Sequence, residues 1–142
     1  MSKLISKNKI ANFDYEIIEK YVCGVSLLGW EVKSIRANNV NLKNSFCSFL
    51  KTELWISNMH VSKYMLVEGD EVRARKLLLK RSELNKILTK QQKYKYAIVP
   101  LSLFWEKGNI KLEIGLAKGR NKADKRAYII ERDAKKSLKN IL

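Results

Sequence analysis

Residues 97–116 read A-I-V-P-L-S-L-F-W-E-K-G-N-I-K-L-E-I-G-L, and the period of this stretch decides the fold. The apolar run from Ala97 to Trp105 and the alternation of Ile110, Leu112, Ile114 and Leu116 have the period of two that sends every second side chain to the same face of a sheet. Lys107-Gly108-Asn109 lies between them with turn chemistry, so the segment is an antiparallel hairpin. Lys111, Glu113 and Gly115 stand on the exposed side of its second strand, and the glycine predicts a close approach of something to the sheet.

Working outward, residues 46–61 give a second hairpin, with F-C-S-F-L and L-W-I-S-N-M-H-V on either side of Lys51-Thr52-Glu53. Residues 15–28, Y-E-I-I-E-K-Y-V-C-G-V-S-L-L, are rich in β-branched and aromatic types and predict a strand broken or bulged at Gly24, the bend a barrel wall would need. A short helix follows from Gly29 to Ala37, closed by Asn38-Asn39. Residues 76–79 are extended, and a second helix starts at Ser82 as N-cap, with Leu84, Ile87, Leu88 and Gln91 at helical spacing. Several short strands with two solid helices predict a mainly β fold: a small antiparallel barrel of the oligonucleotide-binding type, with flanking helices.

At 142 residues and 46% hydrophobic, the chain can enclose one core. Lys and Arg number 29 against 14 Asp and Glu, a net charge of +15 whose field attracts polyanions, nucleic acid first and anionic membrane second. The stretch from Met1 to Asn12 has no apolar run of signal-peptide length and no later segment approaches a membrane span, so the expected location is the cytoplasm. Cys23 and Cys47 lie apart in apolar segments without metal-ligand spacing and read as buried, reduced thiols.

Enzymatic chemistry needs a nucleophile with its base, a carboxylate pair, a metal cluster or a phosphate loop. The single histidine, His60, sits in strand-like S-N-M-H-V with no orienting carboxylate or nucleophile assignable to it, and Gly108, Gly115 and Gly119 form no phosphate-cradling pattern. The expectation is therefore no catalytic residue, no metal and no cofactor. What remains is basic charge interleaved with rings and amides: Asn8, Lys9, Asn12, Phe13, Tyr15, Tyr21, Trp30, Lys33 and Arg36. Rings stack on unpaired bases and cations neutralise phosphates, so although each tyrosine singly has an ordinary place in a core, the collective excess favours RNA.

Residues 117–142 differ from the expected domain of residues 1–116. They carry nine Lys or Arg against Asp124, Glu131 and Asp133, net +6, with too little apolar surface to stay folded alone. Ala127, Ile130, Ala134, Leu138 and Ile141 nonetheless keep helical spacing, which predicts an amphipathic helix once a polyanion neutralises the basic side.

A set of words then occurs in a telling order: N-K-I-A (8–11), D-Y-E-I (14–17), G-W-E-V-K-S-I-R-A (29–37), V-N-L-K-N-S (40–45), R-A-R-K-L-L-L (73–79), V-P-L-S-L-F-W (99–105), A-K-G (117–119), D-K-R (124–126) and E-R-D (131–133). In order and spacing the chain resembles the SsrA-binding proteins over nearly its whole length. The resemblance implies an oligonucleotide-binding barrel whose basic tail becomes helical on the ribosome. It implies trans-translation: binding the tRNA-like part of transfer-messenger RNA, standing in for its missing anticodon arm, and presenting the tail to the decoding centre and messenger channel of the small subunit. Elongation factor Tu and alanyl-tRNA synthetase become partners through the RNA, and the protein is expected to act as a monomer.

Residue by residue, the resemblance assigns RNA contact to Asn8, Tyr15, Gly24, Leu78 and Lys111, with Glu31, Lys33 and Arg36 as further candidates, Glu31 having a structural alternative. It assigns the decoding-centre segment to Lys118, Gly119, Arg120, Asp124, Lys125 and Arg126. Four positions depart from the pattern: Phe13 replaces the usual histidine, Val22 an acidic residue, and Asn121 and Ile130 usual lysines; residues 62–72 read as a trimmed loop without its proline. The competing expectations are a general RNA-binding barrel, which would bind any structured RNA with a steep salt slope, and an RNA-processing nuclease, which would need a metal-carboxylate or histidine site.

Overall fold

Period-two segments became strands and the 3.6-period segments became helices. The computed structural model describes residues 2–63 and 69–121 and positions 123, 125–127, 129, 130 and 132. In chain order the elements are β1 (Ser2–Lys7), α1 (Ala11–Asp14), β2 (Tyr15–Val25), α2 (Gly29–Arg36), β3 (Val40–Asn41), β4 (Phe46–Leu50), β5 (Glu53–Ser57), β6 (His60–Val61), β7 (Arg75–Leu78), α3 (Arg81–Tyr94), β8 (Ala97–Glu106) and β9 (Asn109–Gly119). Seven strands form one antiparallel sheet in the order β1-β8-β4-β5-β7-β2-β9. The sheet curls until β9 also pairs β8, so it nearly closes into a barrel. Its thinnest seam is β4 against β8, held by the single register pair Cys47–Ile98.

The inward alternation of these strands makes the core. Leu54, Ile56, Leu77, Leu103, Leu112 and Ile114 are almost wholly buried, and α3 adds Leu84 and Ile87 to the same cluster. Cys23 and Cys47 lie inside it as free thiols. Burial pushes the Cys23 thiol up to about 12 and that of Cys47 well above the ordinary value, which keeps both inert. A smaller cluster of Ala11, Val99, Leu101 and Ala117 forms beside α1, with Tyr15 and Ile17 packed on it. Among the described residues, no helix is long and apolar enough to cross a membrane.

Several local expectations are corrected. β2 is regular at Gly24; its irregularity falls between Ile17 and Glu19. Gly24 instead stands where β2 pairs on both sides, with Lys111 of β9 and Leu78 of β7, and a Cβ there would lie 3.3 Å from Leu78 Cβ. Gly115 is buried, and what approaches it is the chain itself: an added Cβ would meet Ile17 Cγ2 at 3.0 Å and Leu101 Cδ1 at 3.1 Å. The strand expected to run on to Val61 stops at Ser57; Asn58 takes a left-handed turn (φ 62°) and His60–Val61 pairs with β3 in a separate two-stranded sheet.

α3 starts one residue before Ser82, so that serine is inside the helix and not its cap. The Lys80 N–H donates to Glu83 Oε1 at 3.3 Å, which makes the acidic side chain of the first turn the capping group. β9 continues to Gly119, and Ala117, the first residue assigned to the tail, is buried and pairs with Ile17 and Ala97. Positions 123, 125–127, 129, 130 and 132 are helical here, where the sequence reserved a helix for the polyanion-bound state. Asp124, Lys122, Ala134, Leu138, Ile141 and the 135–139 lysines lie outside the described residues, as do residues 64–68 of the loop expected to be trimmed.

Candidate nucleic-acid interface

β2 and β9 are the spine of the candidate surface, paired from Tyr15–Gly119 at one end to Gly24–Lys111 at the other. The nine residue steps from Tyr15 to Gly24 span about 30 Å at the strand rise of ~3.3 Å per residue. Cys23 and Val25 point inward, so Val22 and Gly24 point outward between them.

At the Gly24 end the side chains of Leu78 and Lys111 flank the glycine, and Leu78 is 52% exposed although it is a large apolar residue. Two concavities meet there. One, of about 600 Å³, is bounded by Val22, Lys76, Lys80, Arg81 and Lys111 together with Glu83 and with Glu53, which pairs with Lys76 and Arg81; the other, of about 340 Å³, by Val32, Arg36, Trp105 and Lys111. Gly24, Leu78, Arg36 and Lys111 are thus brought together, with the missing Cβ of Gly24 leaving room for close approach. Lys33 is exposed on α2 without lining either concavity.

Glu31 is corrected: it is not on the surface. Its carboxylate is fully buried, taking Arg73 Nη2 at 2.6 Å, Arg75 Nε at 2.6 Å and the Leu28 N–H at 2.7 Å. Burial alone would raise its pKa, but the Arg73 guanidinium, the Leu28 amide and Arg75 hold it below the usual carboxylate value. Arg75, also fully buried, donates further to the carbonyls of Met59 and Glu71. The group therefore fastens α2, and Arg36 with it, to the segment leading into β7 and Leu78.

The other assigned residues gather at the far end of the spine. Asn8 donates from Nδ2 to the Pro100 carbonyl at 2.9 Å and Tyr15 packs half-buried on the small cluster. Lys118 and Gly119 are exposed at the end of β9. Arg120 folds back, donating from its backbone N–H to Asp14 O at 2.9 Å and from Nε to Asn12 O at 3.0 Å. Lys125 reaches the same turn, 3.4 Å from Asp14 Oδ1 and 5.4 Å from the Phe13 ring centre. Arg126 is exposed. The start of the tail therefore adjoins Asn8 and Tyr15, a meeting that sequence separations of more than 100 residues conceal.

Lys20, Lys76 and Arg81 belong to this surface and were not singled out from the sequence. Lys20, Val22 and Gly24 share one face by simple alternation, as do Lys76 and Leu78, so the signal was present in the period of the strands. Val22 is 45% exposed and faces Glu113 across the ladder, which leaves a carboxylate beside it. His60 does meet a carboxylate, Glu71 Oε2 at 3.8 Å, but that oxygen also accepts the Lys63 N–H at 2.8 Å.

The chain matches the family model described as "SmpB protein" over residues 5–142. It is 54% identical to the SsrA-binding protein of Mycoplasma mobile over 139 residues, covering 98% of each chain. It is 47% identical to the SsrA-binding protein of Mycoplasmopsis pulmonis, covering 100% of this chain and 99% of that one. Its fold is similar to a solved structure described as "tmRNA-SmpB: a journey to the center of the bacterial ribosome", with a TM-score of 0.68 and 36% identity over 87% of this chain and 92% of the other.

Proposed function

The chain belongs to the SmpB, or SsrA-binding protein, family of RNA-binding, non-enzymatic proteins, and from that premise we propose that it binds the tRNA-like domain of transfer-messenger RNA and carries it to stalled ribosomes in trans-translation. The observation that carries this reading is the convergence of Arg36, Gly24, Leu78 and Lys111 on one outward patch. That patch combines what recognition of folded RNA needs: cations for phosphates, an exposed apolar side chain, and a glycine that permits close backbone approach. Asn8 and Tyr15 extend the contact to the far end of the strand pair, about 30 Å away, which suits a shape-read RNA elbow better than a single nucleotide.

The barrel, up to the end of β9 at Gly119, works as an oligonucleotide-binding-like module, and the residues that follow act as a separate basic arm. On the ribosome this arm occupies the decoding centre and messenger channel as a helix, with Lys118, Gly119, Arg120, Asp124, Lys125 and Arg126 at its root. Elongation factor Tu and alanyl-tRNA synthetase are met through the RNA, in the cytoplasm, by a monomer.

The test is a mobility-shift titration of the whole chain with transfer-messenger RNA and an equal-length control RNA at two salt concentrations. Preference that persists at the higher salt supports dedicated recognition; equal binding that collapses with salt leaves a general RNA-binding barrel.

A further inference from the structure

β1 is the edge of the sheet, and beside it runs a slot of about 550 Å³ between β1 and residues Asn41 and Lys43. Its chemistry is unlike the rest of the surface. Leu4, Ile5 and Ile10 line it, and Leu4 (59% exposed) and Ile10 (48%) are open although a soluble chain gains by covering them. Lys7, Lys9 and Lys43 stand on its rim, and no acidic residue lines it among the described residues. Two amides complete it. Asn41 uses Oδ1 to accept the Lys43 N–H at 2.8 Å, and Asn8 uses one Nδ2 hydrogen on the Pro100 carbonyl, so each still has hydrogen-bonding capacity to offer.

An apolar floor, a cationic rim and amide groups suit a nucleotide whose base is unpaired: apolar side chains take the ring, lysines the phosphates, and amides the base edge. We propose that this slot takes one unpaired nucleotide of a bound RNA, with Leu4 and Ile10 sandwiching the base, Lys7, Lys9 and Lys43 on the flanking phosphates, and Asn41 on the base edge. The proposal rests on the reading of the chain as an RNA-binding protein and adds a subsite that the strand-pair surface does not contain. The slot shares Asn8 with that surface, so a single RNA can reach both. The absence of carboxylates argues for the charge of the occupant, and the open aliphatic floor argues for a base and not a phosphate alone.

The experiment compares two probes on the full chain by fluorescence anisotropy: a labelled six-nucleotide adenosine RNA, and the same backbone with abasic riboses. The intact probe is expected to bind at least tenfold more tightly than the abasic one. Leu4→Ser and Ile10→Ser keep the charge and alter exposed positions, and each should erase most of that difference while leaving abasic binding unchanged. Lys43→Met should weaken both probes alike. Circular dichroism confirms the fold of each variant, and Asn41→Ala, which removes the exposed amide together with its hydrogen bond from the Lys43 N–H, is expected to reduce the difference without touching the apolar floor. Equal binding of the two probes to the unaltered protein, or an undiminished difference in Leu4→Ser, Ile10→Ser and Asn41→Ala alike, would overturn the proposal. So would loss of binding of an acidic peptide, but not of RNA, in the Leu4→Ser variant, since that would make the slot a protein site. Because no transfer-messenger RNA is used, failure here is separable from failure of the titration above.

Discussion

Glu31 shows how one residue can be misplaced from sequence and still matter. In G-W-E-V-K-S-I-R it stands between neighbours that reach the surface, and only the structure puts its carboxylate between two arginines that are 42 and 44 residues away. One acid serving two guanidiniums leaves the buried group net positive, so its removal strands charge in the interior. Glu31→Ala should cost about 3–5 kcal/mol of stability, measured by urea denaturation. Since its folded pKa is lowered, the stabilisation is present above the ordinary carboxylate range and is lost as pH falls through the lowered value. A plot of stability against pH should therefore steepen on the acid side in the unaltered protein and flatten there in Glu31→Gln. Gly115 gives a second prediction: Gly115→Val must push Ile17 or Leu101 aside and should cost about 1–3 kcal/mol by overpacking. The thiols give a third. Cys23 and Cys47 should resist a thiol reagent at pH 8 in the native protein and react fully once it is unfolded, because burial disfavours both thiolates.

Among the elements, the hairpin of β8 and β9, strand β7 and helices α2 and α3 were legible because their periods extend over enough residues to be read locally. What escaped depends on contacts far apart in the chain. Nothing local to Asn58 says that the following strand leaves the barrel to pair with β3, and the thin seam of β4 with β8 joins residues separated by 51 positions. The cap of α3 was misread because Ser82 is a good capping type, whereas Glu83 satisfies the Lys80 amide from inside the first turn. The candidate site divides the same way. Gly24, Leu78 and Lys111 were assigned by resemblance, and the double pairing of β2 is what brings them side by side. The root of the tail is tied to α1 by Arg120 and Lys125, the latter above the Phe13 ring. Replacing Phe13 by Ala should loosen this contact, seen as faster proteolytic clipping after Lys125, with the barrel itself intact.

At the scale of the whole molecule, a charge of +15 is distributed over two devices: a nearly closed barrel whose outward strand pair offers a rigid face, and a basic segment rooted at one end of it. The account predicts that they are separable. Lys111→Ala and Tyr15→Ala should weaken binding of transfer-messenger RNA, Lys111→Ala also lowering the salt slope by about one. Combined Asp124→Ala, Lys125→Ala and Arg126→Ala should leave that affinity in place and abolish tagging in a reconstituted translation assay. The central claim, that the folded face recognises one RNA and is not merely cationic, is tested most directly by the affinity ratio of transfer-messenger RNA to an equal-length control RNA as salt is raised. The account predicts a ratio that stays well above one in the unaltered protein as salt is raised; a ratio near one at both salt concentrations would contradict it.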